Sequence, residues 1–281
     1  MQEQPKSYSN QRKYIGKVQG VIFDLAGTLI DFGAMAPVKA LQATFADHQL
    51  DLPESLVRQL NTADYQQQIK QLLDDPAITE AWSKEHGRLP SHEDIEKLHE
   101  KFILHQMKAI LSHAELTPGT TELVKQLTKQ GIKLGINTEY SRSLVADLLP
   151  ELQNQGVTFT SIVCANEVSR NRPCPQMSLK NAIELDVGHI HACVKVDDSE
   201  AGIEEGLNAG MWTVAVAISG CKLGKSWEEW QALDNTEQDA LRSSATIQLY
   251  RAGAHYVIDT IKDLPACLTD IEQRLKRGEK P

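Results

Sequence analysis

This 281-residue sequence predicts an α/β protein whose doubly wound, mostly parallel sheet is interrupted by an all-helical insertion. Three observations carry that reading. Short β-branched runs alternate with longer segments of helical period, the pattern of a parallel sheet covered on both faces. The first of these runs is followed by helical pattern alone over residues 35–113. Several runs end in polar residues, and strand C-termini are where an open α/β sheet presents its chemistry.

The elements follow in order. Met1 to Lys13 is polar and lacks the apolar stretch of a signal peptide, so residues 1–17 read as a frayed tail. Val21-Ile22-Phe23 is a buried strand that ends at Asp24, with a turn at Gly27. Pro37 suits the first turn of a helix carrying Val38, Leu41 and Phe45. Pro53 opens a second, with Leu56 and Leu60 and, further on, Ile69 and Leu72. A third surrounds Trp82, and Ser91-x-x-Asp94 forms a capping box for a fourth through Leu98 and Phe102. These segments make residues 35–113 a separate helical unit inserted into a core of 18–34 and 114–281.

Strand and helix alternate from Pro118-Gly119 onward. Strands are expected at 132–136 leading into Asn137-Thr138, at 159–164, at 194–196 ending in Asp197-Asp198, at 213–216 and at 256–258. Helices fall between them, with a longer helical excursion over 218–251 that contains Trp227 and Trp230.

Composition narrows the function classes. A hydrophobic content of 41% supports a full core. A net charge of −9 disfavours nucleic acid and anionic membrane as partners. No run reaches the ~18 apolar residues of a membrane-spanning helix. The five cysteines, Cys164, Cys174, Cys193, Cys221 and Cys267, are odd in number and form no C-x-x-C pair, which reads as reduced thiols in a cytoplasmic protein.

The strand-end residues are the candidates for chemistry. Asp24 alone is open to two readings: a carboxylate capping the next turn, or a nucleophile that also holds a metal. Asp24, Thr138, Arg172 and Asp197-Asp198 would converge along one sheet edge. Carboxylates from two strands with a backbone carbonyl suit octahedral Mg²⁺, while a hydroxyl and a guanidinium suit phosphoryl oxygens. Gly220-x-x-x-Gly224-Lys225-Ser226 is one residue short of a phosphate-binding loop and reads as an ordinary loop. His189-x-His191 lacks a third ligand, and Lys195 reads as structural.

Taken in order, Asp24-x-x-Gly27-Thr28, Thr138, Arg172-Pro173-x-Pro175 and Asp197-Asp198-Ser199-x-x-Gly202 resemble the four motifs of the haloacid dehalogenase-like superfamily. The helical insertion resembles its cap domain, and the core its Rossmann-like sheet. Phe23-Asp24-Leu25-Ala26-Gly27-Thr28, Leu89-Pro90, Asn208-Ala209-Gly210-Met211-Trp212 and Gly253-Ala254-His255 are most similar to phosphonoacetaldehyde hydrolases (phosphonatases). That resemblance implies Asp24 as the nucleophile. It also implies a Mg²⁺ site from Asp24, the Ala26 carbonyl and Asp198, with Asp197 adding a direct or water-mediated contact or standing behind the ligands. Thr138 and Arg172 would bind the phosphoryl oxygens, and Ala26, Tyr65 and Tyr140 would border the substrate, a small phosphorylated or phosphonate compound. A homodimer is compatible with it.

The departures from the pattern shape the expected function. Most phosphatases of the superfamily carry an acidic residue where this chain has Ala26. Phosphonatases also have alanine there, because a cap lysine forms an imine with the aldehyde. Their cap pattern, G-x-x-K-x-x-H-x-R, falls here on Thr62, Tyr65, Gln68 and Lys70, so the lysine position holds a phenol. The fourth motif is closer to the form in the β-phosphoglucomutase group. The leading expectation is a Mg²⁺-dependent hydrolase with an aspartate nucleophile, acting on a small phosphonate or an activated phosphate such as an acyl phosphate. The alternatives are true phosphonoacetaldehyde hydrolysis through another lysine such as Lys70, and a non-catalytic phosphate-ligand binder.

Overall fold

The computed structural model describes residues 13–60 and 64–281. The chain opens with β1 (Gly20–Phe23), then runs through five helices: α1 (Met35–Ala46), α2 (Glu54–Val57), α3 (Tyr65–Asp74), α4 (Pro76–His86) and α5 (His92–Ser112). Alternation follows with α6 (Thr120–Lys129), β2 (Lys133–Thr138), α7 (Arg142–Asn154), β3 (Ser161–Cys164), α8 (Gln176–Glu184), β4 (Cys193–Asp197), α9 (Glu200–Asn208) and β5 (Trp212–Val216). The end of the chain contributes α10 (Trp227–Ala232), α11 (Asn235–Arg251), β6 (Tyr256–Ile258) and α12 (Leu264–Lys276).

Among the described residues the six strands form one sheet in the order β3-β2-β1-β4-β5-β6, parallel throughout. This is the doubly wound α/β architecture that the alternation predicts, with β1 at its centre. Strand residues alternate between two cores. Val21, Phe23, Val194, Val196, Val214 and Val216 pack on one face, while Ile22 and Cys193 meet Ala182, Leu185 and Met211 on the other. Phe23 is fully buried, so truncating it to alanine would cost about 3–5 kcal/mol.

The helices between β1 and β2 have an apolar cluster of their own, built on Leu41, Phe45, Ile69, Leu72, Trp82, Leu98 and Phe102. α1 and α5 pack along one another at its centre. Asp31 starts α1: its Oδ1 and Oδ2 accept the backbone N–H groups of Met35 and Ala36, both at 2.9 Å. The Ser91–Asp94 capping box is present at the start of α5.

Two expectations need adjustment. The helix opened by Pro53 does not run on to Leu72. α2 ends after one turn, and Asp64, in extended conformation, caps a new helix by accepting from the N–H groups of Gln66 and Gln67. Of the expected tail, residues 13–17 are anchored: the Tyr14 ring stacks on His189 at 4.9 Å, and its hydroxyl donates to the Lys17 carbonyl at 2.8 Å.

Candidate active site

The register of the central strands levels their ends. Phe23 is the partner of both Ile136 and Val196, so Asp24 emerges between Asn137-Thr138 and Asp197-Asp198. The loop after Asp24 needs glycine twice over. Gly27 has φ +83, and a Cβ there would lie 2.4 Å from Asp198 Oδ2. The loop is clamped by Ser219 Oγ, which donates to the Gly27 carbonyl at 2.6 Å, and by Thr117 Oγ1, which donates to the Thr28 carbonyl at 2.8 Å.

Arg172 reaches this edge from the loop before α8 and is 4% exposed. Its Nη2 donates to Asp24 Oδ1 at 2.8 Å, to Asn137 Oδ1 at 2.8 Å and to the Asn137 carbonyl at 3.1 Å, and its Nε donates to Glu205 Oε2 at 3.0 Å. Asp197 Oδ2 lies 3.3 Å from Nη2. Glu205, on α9, also accepts from Asn137 Nδ2 at 3.0 Å and the Ser178 N–H at 2.9 Å. Lys195, fully buried, pairs with Asp197 Oδ2 at 2.8 Å and donates to Asn137 Oδ1. Gly206 makes room for it, since a Cβ there would meet Lys195 Cβ at 2.8 Å.

The two aspartates of β4 have different environments. Asp197 Oδ1 accepts from the Ser199 N–H and hydroxyl at 3.0 and 2.7 Å. Burial alone would raise its carboxyl, but Arg172 and Lys195 outweigh burial and hold it low. Asp198 faces the cavity and accepts the Cys221 N–H at 2.6 Å. Burial, reinforced by the charges of Asp24 and Asp197, pushes Asp198 up to about 8. Burial likewise pushes Asp24 to about 6, against the pull of Arg172. These shifts mark a site short of positive charge.

That shortage bears on metal binding. Asp24, Asp197 and Asp198 each bring an oxygen within 4.8 Å of the others. Hard carboxylate oxygens in a buried, electron-rich corner fit a divalent cation. Asp24 and Asp198 are the better placed pair, because both oxygens of Asp197 already face donors.

Above the strand ends lies a cavity of about 290 Å³. Asp24, Ala26, Thr138, Tyr140, Arg172 and Asp198 line it from the sheet side, and Val38, Leu41, Val57, Leu60, Tyr65 and Gln68 from the helical insertion. Thr138 Oγ1 accepts the Tyr140 N–H at 3.2 Å. The Tyr140 hydroxyl is buried and has no hydrogen-bond partner among the described residues. Burial raises its phenol, and with it that of Tyr65. The Tyr65 ring packs on Phe102 with centroids 4.5 Å apart. Arg58 ties the insertion to the sheet side, donating to the carbonyls of Gly33 and Cys221 at 3.3 and 3.5 Å.

The structure therefore brings together all the site residues singled out from sequence, with Asp197 behind the cavity rather than on its wall. Thr62, the first position of the cap pattern, lies outside the described residues. Lys70 is exposed and is not part of the wall; the lysine that lines it is Lys222, paired with Glu200 at 3.0 Å. Sequence reasoning missed Asn137, Glu139, Glu205, Ser219 and Cys221. Glu139 was within reach, being next to Thr138 at a strand end. Glu205 gave no signal, since nothing in a helical Glu-Glu pair marks which member turns inward.

Known proteins are similar to this chain along most of its length. Residues 21–216 match the haloacid dehalogenase-like hydrolase family. The chain is 44% identical over 275 residues to the phosphonoacetaldehyde hydrolase of Hahella chejuensis, covering 98% of this chain and 94% of that protein. It is 36% identical over 265 residues to that of Bordetella pertussis, covering 94% and 96%. The crystal structure of a phosphonoacetaldehyde hydrolase-like protein from Oleispira antarctica superposes with a TM-score of 0.92 at 41% identity, covering 98% of this chain and all of that one. With the family match over residues 21–216 and relatives similar along nearly its whole length, the chain belongs to the haloacid dehalogenase-like hydrolases and is closely related to the phosphonoacetaldehyde hydrolases.

Proposed function

We propose that the chain is a Mg²⁺-dependent hydrolase that transfers the phosphoryl group of a small phosphonate or activated phosphate to Asp24 and then to water. The observation that carries this reading is the contact between Asp24 and Arg172 at 2.8 Å, on the floor of a cavity closed by the helical insertion. Asp24 is the nucleophile. Arg172 and Thr138 hold the phosphoryl oxygens, and the Tyr140 hydroxyl offers a donor to the remainder of the substrate. Asp24, Asp198 and the Ala26 carbonyl would hold Mg²⁺, with Asp197 bracing Arg172 and Lys195. The ion would supply charge neutralisation to the phosphoryl oxygens.

Tyr65 argues against an imine from the cap. It lines the cavity, the resemblance to the phosphonatase pattern assigns it the lysine position, and a phenol forms no Schiff base with an aldehyde. A second reading is favoured by one observation: Lys222 does line the cavity. In that reading the enzyme cleaves the C–P bond of phosphonoacetaldehyde, as the names of its relatives describe for them, with Lys222 as the amine. A phosphate-release panel with and without Mg²⁺ separates the two. Acetyl phosphate, sugar phosphates and phosphonoacetaldehyde are the substrates to compare. Release from acetyl phosphate but not phosphonoacetaldehyde supports the first reading; release from phosphonoacetaldehyde alone supports the second. Absence of Mg²⁺-dependent release from any of them would defeat both.

A further inference from the structure

We propose that Glu139 is the acid–base residue of this site, and that it fits the enzyme to phosphate monoesters whose leaving oxygen must take up a proton. The inference rests on the reading of Asp24 as nucleophile.

The position of Glu139 is the first ground. It follows Thr138 at the C-terminal end of β2 and lines the same cavity as Asp24, Tyr65 and Arg172, with its side chain 18% exposed. The second ground is its lack of structural partners. Glu205 and Asp197 are each held by several donors. Glu139 Oε1, by contrast, is buried and accepts no hydrogen bond. Its nearest cation is Arg172 Nε at 3.6 Å, and that group donates to Glu205 instead. A buried carboxylate without donors is costly, and a protonated carboxyl is far less so.

The charges around it point the same way. Two cations, Arg172 and Lys195, serve five carboxyls: Asp24, Glu139, Asp197, Asp198 and Glu205. Of these, Glu139 lies outside the proposed Mg²⁺ ligands, and its only cation among the described residues, Arg172, stands 3.6 Å away. Burial pushes it up to about 7, with Arg172 opposing and Asp24, Glu205 and Asp197 adding to the rise. Tyr65 lines the same cavity, where burial raises its phenol and the Glu139 charge adds to the rise. A carboxyl that exchanges its proton near neutrality is what acid–base catalysis requires.

The chemistry balances. As Asp24 Oδ bonds to phosphorus, the P–O bond to the leaving group breaks, and the Glu139 proton moves to the departing oxygen to give an alcohol. Glu139 is left as a carboxylate. Water then attacks the aspartyl-phosphate, Glu139 takes its proton, and phosphate leaves with Asp24 and Glu139 restored. Ala26 cannot carry that proton, so an ester would otherwise have to leave as an alkoxide.

The test compares kcat/KM, which reports the steps up to departure of the leaving group, for wild type and Glu139→Gln. The substrates are acetyl phosphate and the esters glycerol 3-phosphate, ethanolamine phosphate and glucose 6-phosphate. Acetate departs without protonation, so the variant should keep acetyl phosphate within a few-fold and lose the best ester by about 10²–10⁴-fold. The wild-type ester profile should fall above about pH 7, a limb missing with acetyl phosphate and missing in the variant. Binding of inorganic phosphate within a few-fold of wild type shows that the variant is folded. Equal losses on both substrate types, an unaffected ester rate, or a wild type that uses acetyl phosphate and none of the esters would overturn the role of Glu139 alone. Hydrolysis that persists in Asp24→Asn would instead overturn the nucleophile on which it depends.

Discussion

Arg172 Nη2 donates to Asp24 Oδ1 at 2.8 Å, joining residues 148 positions apart in the chain. The guanidinium is also held by Glu205 and Asn137, so its place does not depend on Asp24. Asp24→Asn should therefore fold and keep Arg172 in position while losing both the nucleophile and an anionic Mg²⁺ ligand. Mg²⁺-dependent phosphate release should drop by about 10⁴-fold or more. A variant retaining most of the wild-type rate, with an unchanged circular dichroism spectrum, would remove Asp24 from that role.

Asp198 faces the cavity with Cys221 as its hydrogen-bond donor, and its burial among like charges is unfavourable without a cation. Asp198→Ala should weaken Mg²⁺ binding at least about tenfold, or ~1.4 kcal/mol, without lowering the melting temperature of the metal-free protein. Calorimetric titration of both proteins checks this. Equal affinities would take Asp198 out of the ligand set.

Tyr65 and Gln68 share one face of α3 and both line the cavity. Wild-type protein treated with phosphonoacetaldehyde and borohydride should give no adduct within residues 62–70. Tyr65→Lys with Gln68→His and Thr62→Gly should give one at position 65, together with some C–P cleavage. Peptide mass spectrometry reads the outcome. A wild-type adduct at Lys222 would establish the second reading, and one at Lys70 would require α3 to turn.

At the start of α5, Arg88 holds both oxygens of Asp94, at 2.6 and 2.7 Å, and Asp94 accepts the Ser91 N–H at 2.7 Å. The Arg88 hydrogen bonds, followed by those from Ser91, keep the Asp94 carboxyl well below its ordinary 3.8 despite some burial. The folded protein thus binds this proton less tightly than the unfolded chain. The stabilisation is present above the unfolded value and is lost as pH falls below it. Because Arg88 is half-exposed, most of the effect is the helix cap. Asp94→Ala should cost about 1 kcal/mol at neutral pH, and urea unfolding at pH ~3 should show the gap between variant and wild type closing.

The parts of this structure legible in the sequence are those fixed by local pattern. Strand ends at Asp24, Thr138 and Asp197 follow from short apolar runs meeting polar residues. The capping box of α5 is written in four consecutive positions. What escaped was set by tertiary placement. The inward turn of Glu205 depends on Arg172 and Ser178 arriving from elsewhere. The break between α2 and α3 depends on Asp64 capping in preference to continuing a helix whose apolar spacing runs on. Cys221 gave no signal because it acts through its backbone N–H, which every residue but proline has.

The order of the chain also sets a timetable for synthesis. Asp24 is made early, and Arg172 148 residues later. At about 5–20 residues per second, the carboxylate waits roughly 7–30 s on the ribosome before its partner exists. The apolar cluster of the helical insertion draws only on residues 38–109, so it can condense during that interval. A helical unit that condenses in that interval would give each new molecule the roof of its cavity before the floor, with the charged edge open to water until β4, which bears Asp197, pairs with β1.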